Sequence, residues 1–519
     1  MNRRIEGLFL GLILAAGALL RFAHLDLLEF KADEAVAANL ALQFVRGGAL
    51  PAGGLMSSVG VTNPPLLIYL LIPIFYFTSN VVVVSGVIAA LGLGAVAATW
   101  WMGRKYFGPV AGLAAAALFA VSPWAVIYSR KIWAQDFVPL FAVGALWAVL
   151  AVSLGRKPKA IFWAVLLPLA TIQLHFSGLA LTAAVVVILV ALRPKLDWRF
   201  AVAGGAVAVL VAVPYLREQS RQGWAEYKTM LAQRSGRNWQ LPPGMTINPQ
   251  SGYPFPRRPS EAWIHALALQ NAGEIEDVLG LSAGAEFDRA GIWAGKAWRT
   301  YFSSGSDWLL LLQRVAFVAA LVFLAARAIR ERRANPGAWV LVLWCVVPVA
   351  VFVVAGLWTY LSYYAILFPA YFLVLGAVAE RLPRPAIIAG AVLAAANVWF
   401  MVDCYRFLNR YGGAQGTYGT GLGYKVAAAR YLAERADVGE LIRQQRLGQM
   451  DQLGRLELPQ RDLPWLAGPS GRGSSLPTNT LVIVVDENRS NFDPPRVTQL
   501  ASLPQTNFGP VRLYFLERK

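Results

Sequence analysis

Lys31-Ala32-Asp33-Glu34-Ala35 follows the first apolar block of the chain, and Asn63-Pro64-Pro65 opens a shorter one. A carboxylate pair at the end of a hydrophobic span lies at a water boundary, hydrated on one side and able to face a buried cleft on the other. The alanine-rich stretch 35–44 behind it reads as helical, which puts Asp33 and Glu34 at a helix start. Two readings are open there: a catalytic base, or an acidic pair complementing the helix dipole, an effect of ~0.3–1 kcal/mol.

Working outward, 57% of the 519 residues are hydrophobic and 15% charged, with mean hydropathy +0.49. These values exceed what a soluble domain carries, and the apolar residues fall into long blocks. The chain therefore reads as an integral membrane protein. Its net charge of +18 does not point to nucleic acid, because Lys and Arg collect in short loops between spans, as on the cytoplasmic side of membrane proteins. Cys345 and Cys404 are the two cysteines, too few for a disulfide framework. The first span follows Arg3-Arg4 and has no small-residue cleavage site before Asp26. It is expected to be a retained anchor with a cytoplasmic N-terminus.

Spans are expected near 5–23, 81–102, 109–127, 137–154, 160–175, 178–192, 200–216, 308–326, 338–357, 361–379 and 385–401, about eleven in all. The stretch 64–77 is short for a hydrocarbon core of ~30 Å and is interrupted by Pro73. Charge parity decides its role. If it does not cross, Arg3-Arg4, Arg104-Lys105, Arg156-Lys157, Arg193, Arg199, Arg327, Arg330 and Arg381 share one side. It is therefore expected to be a juxtamembrane or re-entrant segment packed on protein.

This topology divides the chain into a membrane domain, 1–401, and a small α/β domain, 402–519, with helix near 425–436 and strands at 480–486 and 511–517. The Pro-, Gly- and Ser-rich run 459–480 reads as a mobile loop. The first outer loop, 25–80, an insert at 217–307 with short helices near 261–268 and 274–281, and the C-terminal domain all fall on the extracytoplasmic side.

Asp136 follows Tyr128-Ser129-Arg130-Lys131-Ile132-Trp133 at an outer turn, so both aspartates emerge on one face. By itself Asp136 could equally cap the span it opens or pair with Arg130 or Lys131. Arg130, Lys131 and Arg217 are the nearest outer cations for a phosphate group; the alternative for Lys131 and Arg217 is snorkelling toward headgroups. His175 ends a span and can orient a substrate or act as an interfacial polar group. Trp124, Trp133, Trp358, Tyr360, Tyr363 and Tyr364 read either as a groove lining or as an aromatic belt. The histidines show no metal-ligand spacing, so a divalent cation, Mg or Mn, would rest on Asp33, Glu34 and Asp136.

Taken together, Arg21, Asp33-Glu34-Ala35, Asn63-Pro64-Pro65-Leu66, the Ser129-Arg130 to Asp136 turn, and Tyr363-Tyr364 with Pro369 resemble the GT-C membrane glycosyltransferases. The resemblance is to the bacterial branch similar to protein O-mannosyltransferases, lipid A aminoarabinose transferases and lipid A core galacturonosyltransferases. It implies an all-α polytopic fold and inverting transfer of one monosaccharide from a polyprenyl-phosphate donor. The acceptor would be a protein, lipid or glycan at the outer face of the cytoplasmic membrane. Asp33 resembles the family's loop carboxylate, Asp136 its second acid and Glu34 a supporting acid. Relatives often place Lys or His where Asn63 stands, and a basic residue where Ser362 precedes Tyr363; by the resemblance Asn63 is still expected among the donor-phosphate contacts, with Arg130, Lys131 and Arg217.

A polyprenyl phosphate leaves without protonation, so the reaction needs one base and positive charge beside the leaving group, unlike the two carboxylates of a glycosidase. Asp33 is the candidate base. Two other functions compete: a transporter or flippase of lipid-linked sugars, which would place ionisable residues near the membrane midplane, and a non-catalytic scaffold whose tail binds partners.

Overall fold

The computed structural model describes residues 2–30, 32–57, 60–234, 305–331, 335–355, 361–414, 419–433, 480–486, 502 and 504–517. The expected helices at 261–268 and 274–281 and the expected loop at 459–479 lie outside these residues, as do Trp358 and Tyr360.

Helices run in the order α1 (Arg3–Phe22), α2 (Ala32–Val45), α3 (Leu66–Phe77), α4 (Val81–Tyr106), α5 (Pro109–Val121), α6 (Pro123–Ile127), α7 (Ala134–Ser153), α8 (Ile161–Leu174), α9 (Gly178–Leu192), α10 (Trp198–Arg221) and α11 (Ala225–Arg234). After the insert come α12 (Gly305–Glu331), α13 (Pro336–Ala355), a 3-10 turn (Leu361–Leu367), α14 (Phe368–Ala379), α15 (Pro383–Tyr411) and α16 (Leu422–Ala433). Every expected span coincides with one of them. Seven helical stretches among the described residues are long and apolar enough to cross a membrane, α1, α4, α7, α10, α13, Ser362–Ala379 and Pro383–Arg406. The chain is a multi-pass membrane protein. Alanine, leucine and valine fill these helices, while side-chain caps and prolines start them: Asn2 accepts from the Arg4 N–H and Asn80 from the Val82 N–H, and Pro109, Pro123 and Pro383 occupy first turns.

At the bundle's centre lie α7 and α14, buried over most of their length, whereas α1, α10 and α15 expose apolar faces such as Leu8, Leu12, Val209, Leu210, Ile387 and Ile388. Such faces are suited to lipid tails. Contacts sort the helix ends into two groups. At one end Glu6 of α1 meets Arg104 of α4 at 2.6 Å, the Asp197 N–H reaches the Pro158 carbonyl, and Glu380 accepts from the Ala111 N–H at the start of α5. The basic loops gather there. At the other end, Gly86 near the start of α4 faces Phe22 and Leu25 at the end of α1.

So α1 and α4 are antiparallel neighbours, and the chain between them returns to the end it left. This bears on α3. Its 12 residues span ~18 Å at 1.5 Å per residue, well short of a hydrocarbon core. It packs against α2, buries Leu67, Ile68, Leu71 and Phe75 and exposes Tyr76 and Phe77. A chain that leaves α1 and enters α4 at the same end is what charge parity predicts for a segment that does not cross.

Two expected boundaries shift. Helix α10 continues through Arg217 to Arg221, and α15 continues past residue 401 to Tyr411. The C-terminal part holds a small hairpin, β1 (Gly413–Ala414) with β2 (Gly419–Thr420), and an antiparallel sheet of β3 (Thr480–Asp486), β4 (Gln505–Phe508) and β5 (Val511–Glu517) in the order β3-β5-β4. Its register sets Thr480 opposite Glu517 and Gln505 opposite Tyr514.

Candidate active site

Four buried charged side chains converge where α1, α2 and the turn before α7 meet. The turn lifts Lys131 out of the Tyr128-to-Trp133 stretch, and its ammonium bonds Glu29 and lies 3.6 Å from Glu34. The main-chain N–H of Lys131 donates to Asp136 Oδ2 at 2.6 Å. Glu29, Glu34, Lys131 and Asp136 are all more than nine-tenths buried. Trp133 covers the ammonium, with Nζ 4.7 Å from the ring centroid.

One cation serves three carboxylates here, and that ratio governs the electrostatics. Burial raises the Glu34 pKa above the usual carboxylate value, opposed by Lys131 and reinforced by Glu29 and Asp33. Burial works against the Lys131 charge, but Glu29, Glu34 and Asp136 outweigh it and raise its pKa above the ordinary ammonium value. Beside this cluster Asp33 is exposed, in the first turn of α2 with Glu34. The backbone thus presents one hydrated carboxylate at the helix start, where the dipole favours negative charge, and turns its neighbour inward to the lysine.

The structure therefore brings Asp33, Glu34, Lys131 and Asp136 together and adds Glu29, which the sequence reading missed. Glu29 lies between Leu28 and Phe30, and an acid alone between two buried apolar residues was the available signal. Arg130 is placed differently from the expectation of a phosphate contact. Its guanidinium donates to the carbonyls of Ala23 at 2.7 Å and His24 at 2.6 Å, and to the Tyr405 hydroxyl, which in turn donates to the Leu20 carbonyl. It caps the end of α1 and pins the turn before α7 to α15. Arg21, fully buried, does the same work one layer down: it donates to Gly17, to Ala120 at 2.6 Å, and more weakly to Phe119 and Ala125.

Asn63 also has a scaffold position. Its main chain pairs with Leu55, and Nδ2 donates to the Leu55 carbonyl at 3.0 Å. The neighbouring Thr62 is held by Glu226 of α11 at 2.7 and 3.0 Å and by the Tyr215 hydroxyl of α10 at 2.7 Å. Arg217 follows Tyr215 by two residues, about 200° around the helix, and is exposed.

His175 forms a separate group with the expected aromatics. The Ser177 main-chain N–H donates to its Nδ1 at 3.1 Å, so Nδ1 carries no proton and the neutral ring is protonated at Nε2. The ring packs on Tyr363 at 4.4 Å between centroids, and Phe352 meets Tyr364 edge-on at 5.2 Å. The 3-10 turn that carries both tyrosines packs on α7.

For Mg or Mn, the residues named from sequence do not form a ligand set. Asp136 Oδ2 is engaged by a main-chain N–H, Glu34 faces an ammonium, and no group of three or more acidic, His or Cys ligands is arranged for a metal among the described residues.

With this geometry in place, the comparisons give the fold its class. No protein-family model matches the chain, and no curated protein matches it by sequence. Among solved structures the chain is similar to ArnT from Cupriavidus metallidurans, a crystal structure bound to undecaprenyl phosphate. The TM-score is 0.51 and the identity 13%, over 97% of both chains. A looser likeness, TM-score 0.42 at 15% identity over 92% of this chain and 60% of the other, is to the Archaeoglobus fulgidus oligosaccharyltransferase tethered with an acceptor peptide. The fold is that of the GT-C membrane glycosyltransferases. The ArnT match runs through both the membrane bundle and the C-terminal part.

Proposed function

We propose that this protein is an inverting glycosyltransferase that moves one monosaccharide from a polyprenyl-phosphate carrier to a protein, lipid or glycan at the outer face of the cytoplasmic membrane. One observation carries the reading: an exposed Asp33 on the first turn of α2, set beside the buried Glu34–Lys131–Asp136 cluster at one end of a GT-C bundle. Support for the carrier comes from ArnT, crystallised with undecaprenyl phosphate.

In the proposed step an acceptor hydroxyl or amine attacks the anomeric carbon. The bond from that carbon to the phosphate oxygen breaks on the opposite face, and the proton passes to Asp33 and on to water. A carboxylate with an ordinary pKa of ~3.9 is a weak base for a hydroxyl, so it accepts the proton late, as positive character builds on the sugar. The Glu34–Lys131–Asp136 cluster fixes the loop and the turn on either side of Asp33. Arg130 and Lys131 hold scaffold partners, so Arg217, exposed near the end of α10, is the proposed contact for the lipid phosphate.

The test is Asp33→Asn in the purified full-length protein, with mannosyl-, galacturonosyl- and aminoarabinosyl-phosphoundecaprenol as donors. Transfer should fall ~10²–10⁴-fold, the usual contribution of a general base, while undecaprenyl phosphate binding is retained. Undiminished transfer by the variant refutes the base assignment.

A further inference from the structure

The C-terminal segment reaches into the acidic loop with a buried cation. Lys425 of α16, 8% exposed, donates from Nζ to the carbonyl of Phe30 at 2.7 Å. That carbonyl lies three residues before Asp33. Beside it, Gly421 pairs with Glu29 in an antiparallel bridge, and the Leu422 N–H donates to the Leu28 carbonyl at 2.9 Å. The segment thus lies as a short strand along the loop that carries the site's acids.

The approach is close, with little room for a side chain on either glycine. A Cβ on Gly421 would stand 3.3 Å from the Leu27 Cα, and one on Gly423 would stand 3.1 Å from the Asp26 Cβ. From the opposite side Tyr424 lies on the turn between β4 and β5, where a Cβ on Gly509 would meet its ring at 2.5 Å. Tyr431 packs on Phe508 and Phe515 of the same strands, at 5.4 and 6.4 Å. Rigid contacts therefore run from the sheet through α16 to residues 26–30, and from there to the start of α2.

A buried ammonium is costly unless its surroundings are negative or hydrogen-bonded. A leucine would fill the same space. A lysine here gains from a loop bearing Asp26, Glu29, Asp33 and Glu34, and its bond fixes the chain directly ahead of the candidate base.

We infer that Lys425 is a positioning residue for transfer, and that the segment after the last span is part of the active site, holding the acidic loop against Lys131 from the side opposite the membrane. This rests on the glycosyltransferase reading above and gives the C-terminal part a role in it. Lys425 acts through the Phe30 carbonyl on the placement of Asp33, and the sugar is not its partner.

The experiment compares wild type, Lys425→Met and Lys425→Arg as full-length protein in lipid nanodiscs. Three quantities are read: kcat with the three sugar-phosphoundecaprenol donors, the Kd of undecaprenyl phosphate, and hydrogen exchange across residues 26–40. Lys425→Met should lower kcat 10- to 100-fold, leave Kd within twofold and speed exchange in that segment at least tenfold. Lys425→Arg should recover most of both losses. An unchanged kcat overturns the proposal. So does a tenfold weaker Kd with kcat intact at saturation, which would put Lys425 on the phosphate itself.

Should Lys425→Met fail to accumulate, Lys425→Gln, shorter and uncharged, takes its place and is read in the same way: a lower kcat with Kd within twofold and faster exchange across 26–40 supports the proposal, and an unchanged kcat overturns it. Wild-type protein that uses none of the three donors refutes the glycosyltransferase reading instead, and unchanged exchange in Lys425→Met then overturns the loop-holding role independently of turnover.

Discussion

The main-chain N–H of Lys131 donates to Asp136 Oδ2 at 2.6 Å, so the aspartate fixes the backbone of the residue whose ammonium binds Glu29 and faces Glu34. Asp136 thus fixes the position of the lysine, and all three acids favour its charge. Replacing it leaves buried carboxylates without a cation. Lys131→Met should destabilise the fold by about 3–5 kcal/mol, the usual effect of breaking a buried pair from one side. Lys131→Met with Glu29→Gln should recover part of that loss. Thermal unfolding in detergent reads both, and a single variant as stable as wild type would show that the pairing contributes nothing.

Arg130 and Tyr405 join the ends of α1 and α15 to the same turn. Tyr405→Phe removes the hydroxyl that links Arg130 to the Leu20 carbonyl and should lower stability by about 1–3 kcal/mol, the range for leaving a buried partner unsatisfied. Undecaprenyl phosphate affinity should stay within twofold. A tenfold loss would mean that this network reaches the donor.

The pH dependence has a definite sign at Glu34. Burial raises its pKa, so the folded state holds the proton more tightly, and its contribution declines as pH rises above the unfolded value. Glu34→Gln should flatten that decline. Denaturant midpoints between pH 4 and pH 8 test the slope.

Helix α3 offers a topological test. Single cysteines at His24 and Thr78 should label from one side of the membrane and a cysteine at Lys105 from the other, because α1 and α4 are antiparallel and α3 remains at one end. Opposite labelling of His24 and Thr78 would make α3 a span.

Much of this fold was legible because lipid demands long apolar helices and leaves a strong period-free signal. All eleven expected spans fall on helices, and the strands at 480–486 and 511–517 carry the alternation and β-branching of Leu481-Val482-Ile483-Val484 and Leu513-Tyr514-Phe515. Strand β4 escaped because Gln505-Thr506-Asn507 is polar, without the β-branched and aromatic residues that mark β3 and β5. At the site, Asp33, Glu34, Lys131 and Asp136 were named from local position. Glu29, Tyr405 and Lys425 were not, because each acquires its role from a partner about a hundred or more residues away. For Arg130 the basic charge is visible in sequence, and the three oxygens that accept from its terminal nitrogens are not.

Arg21 imposes an order on biogenesis. Three of its four carbonyl partners lie 98, 99 and 104 residues further along the chain, so they have not been synthesised when α1 leaves the ribosome. Until α5 and α6 arrive, the guanidinium must stay in interfacial water. Insertion of the first helix is therefore finished by the fifth and sixth, and the opening quarter of the protein must assemble as one unit before the acidic loop has a floor to rest on.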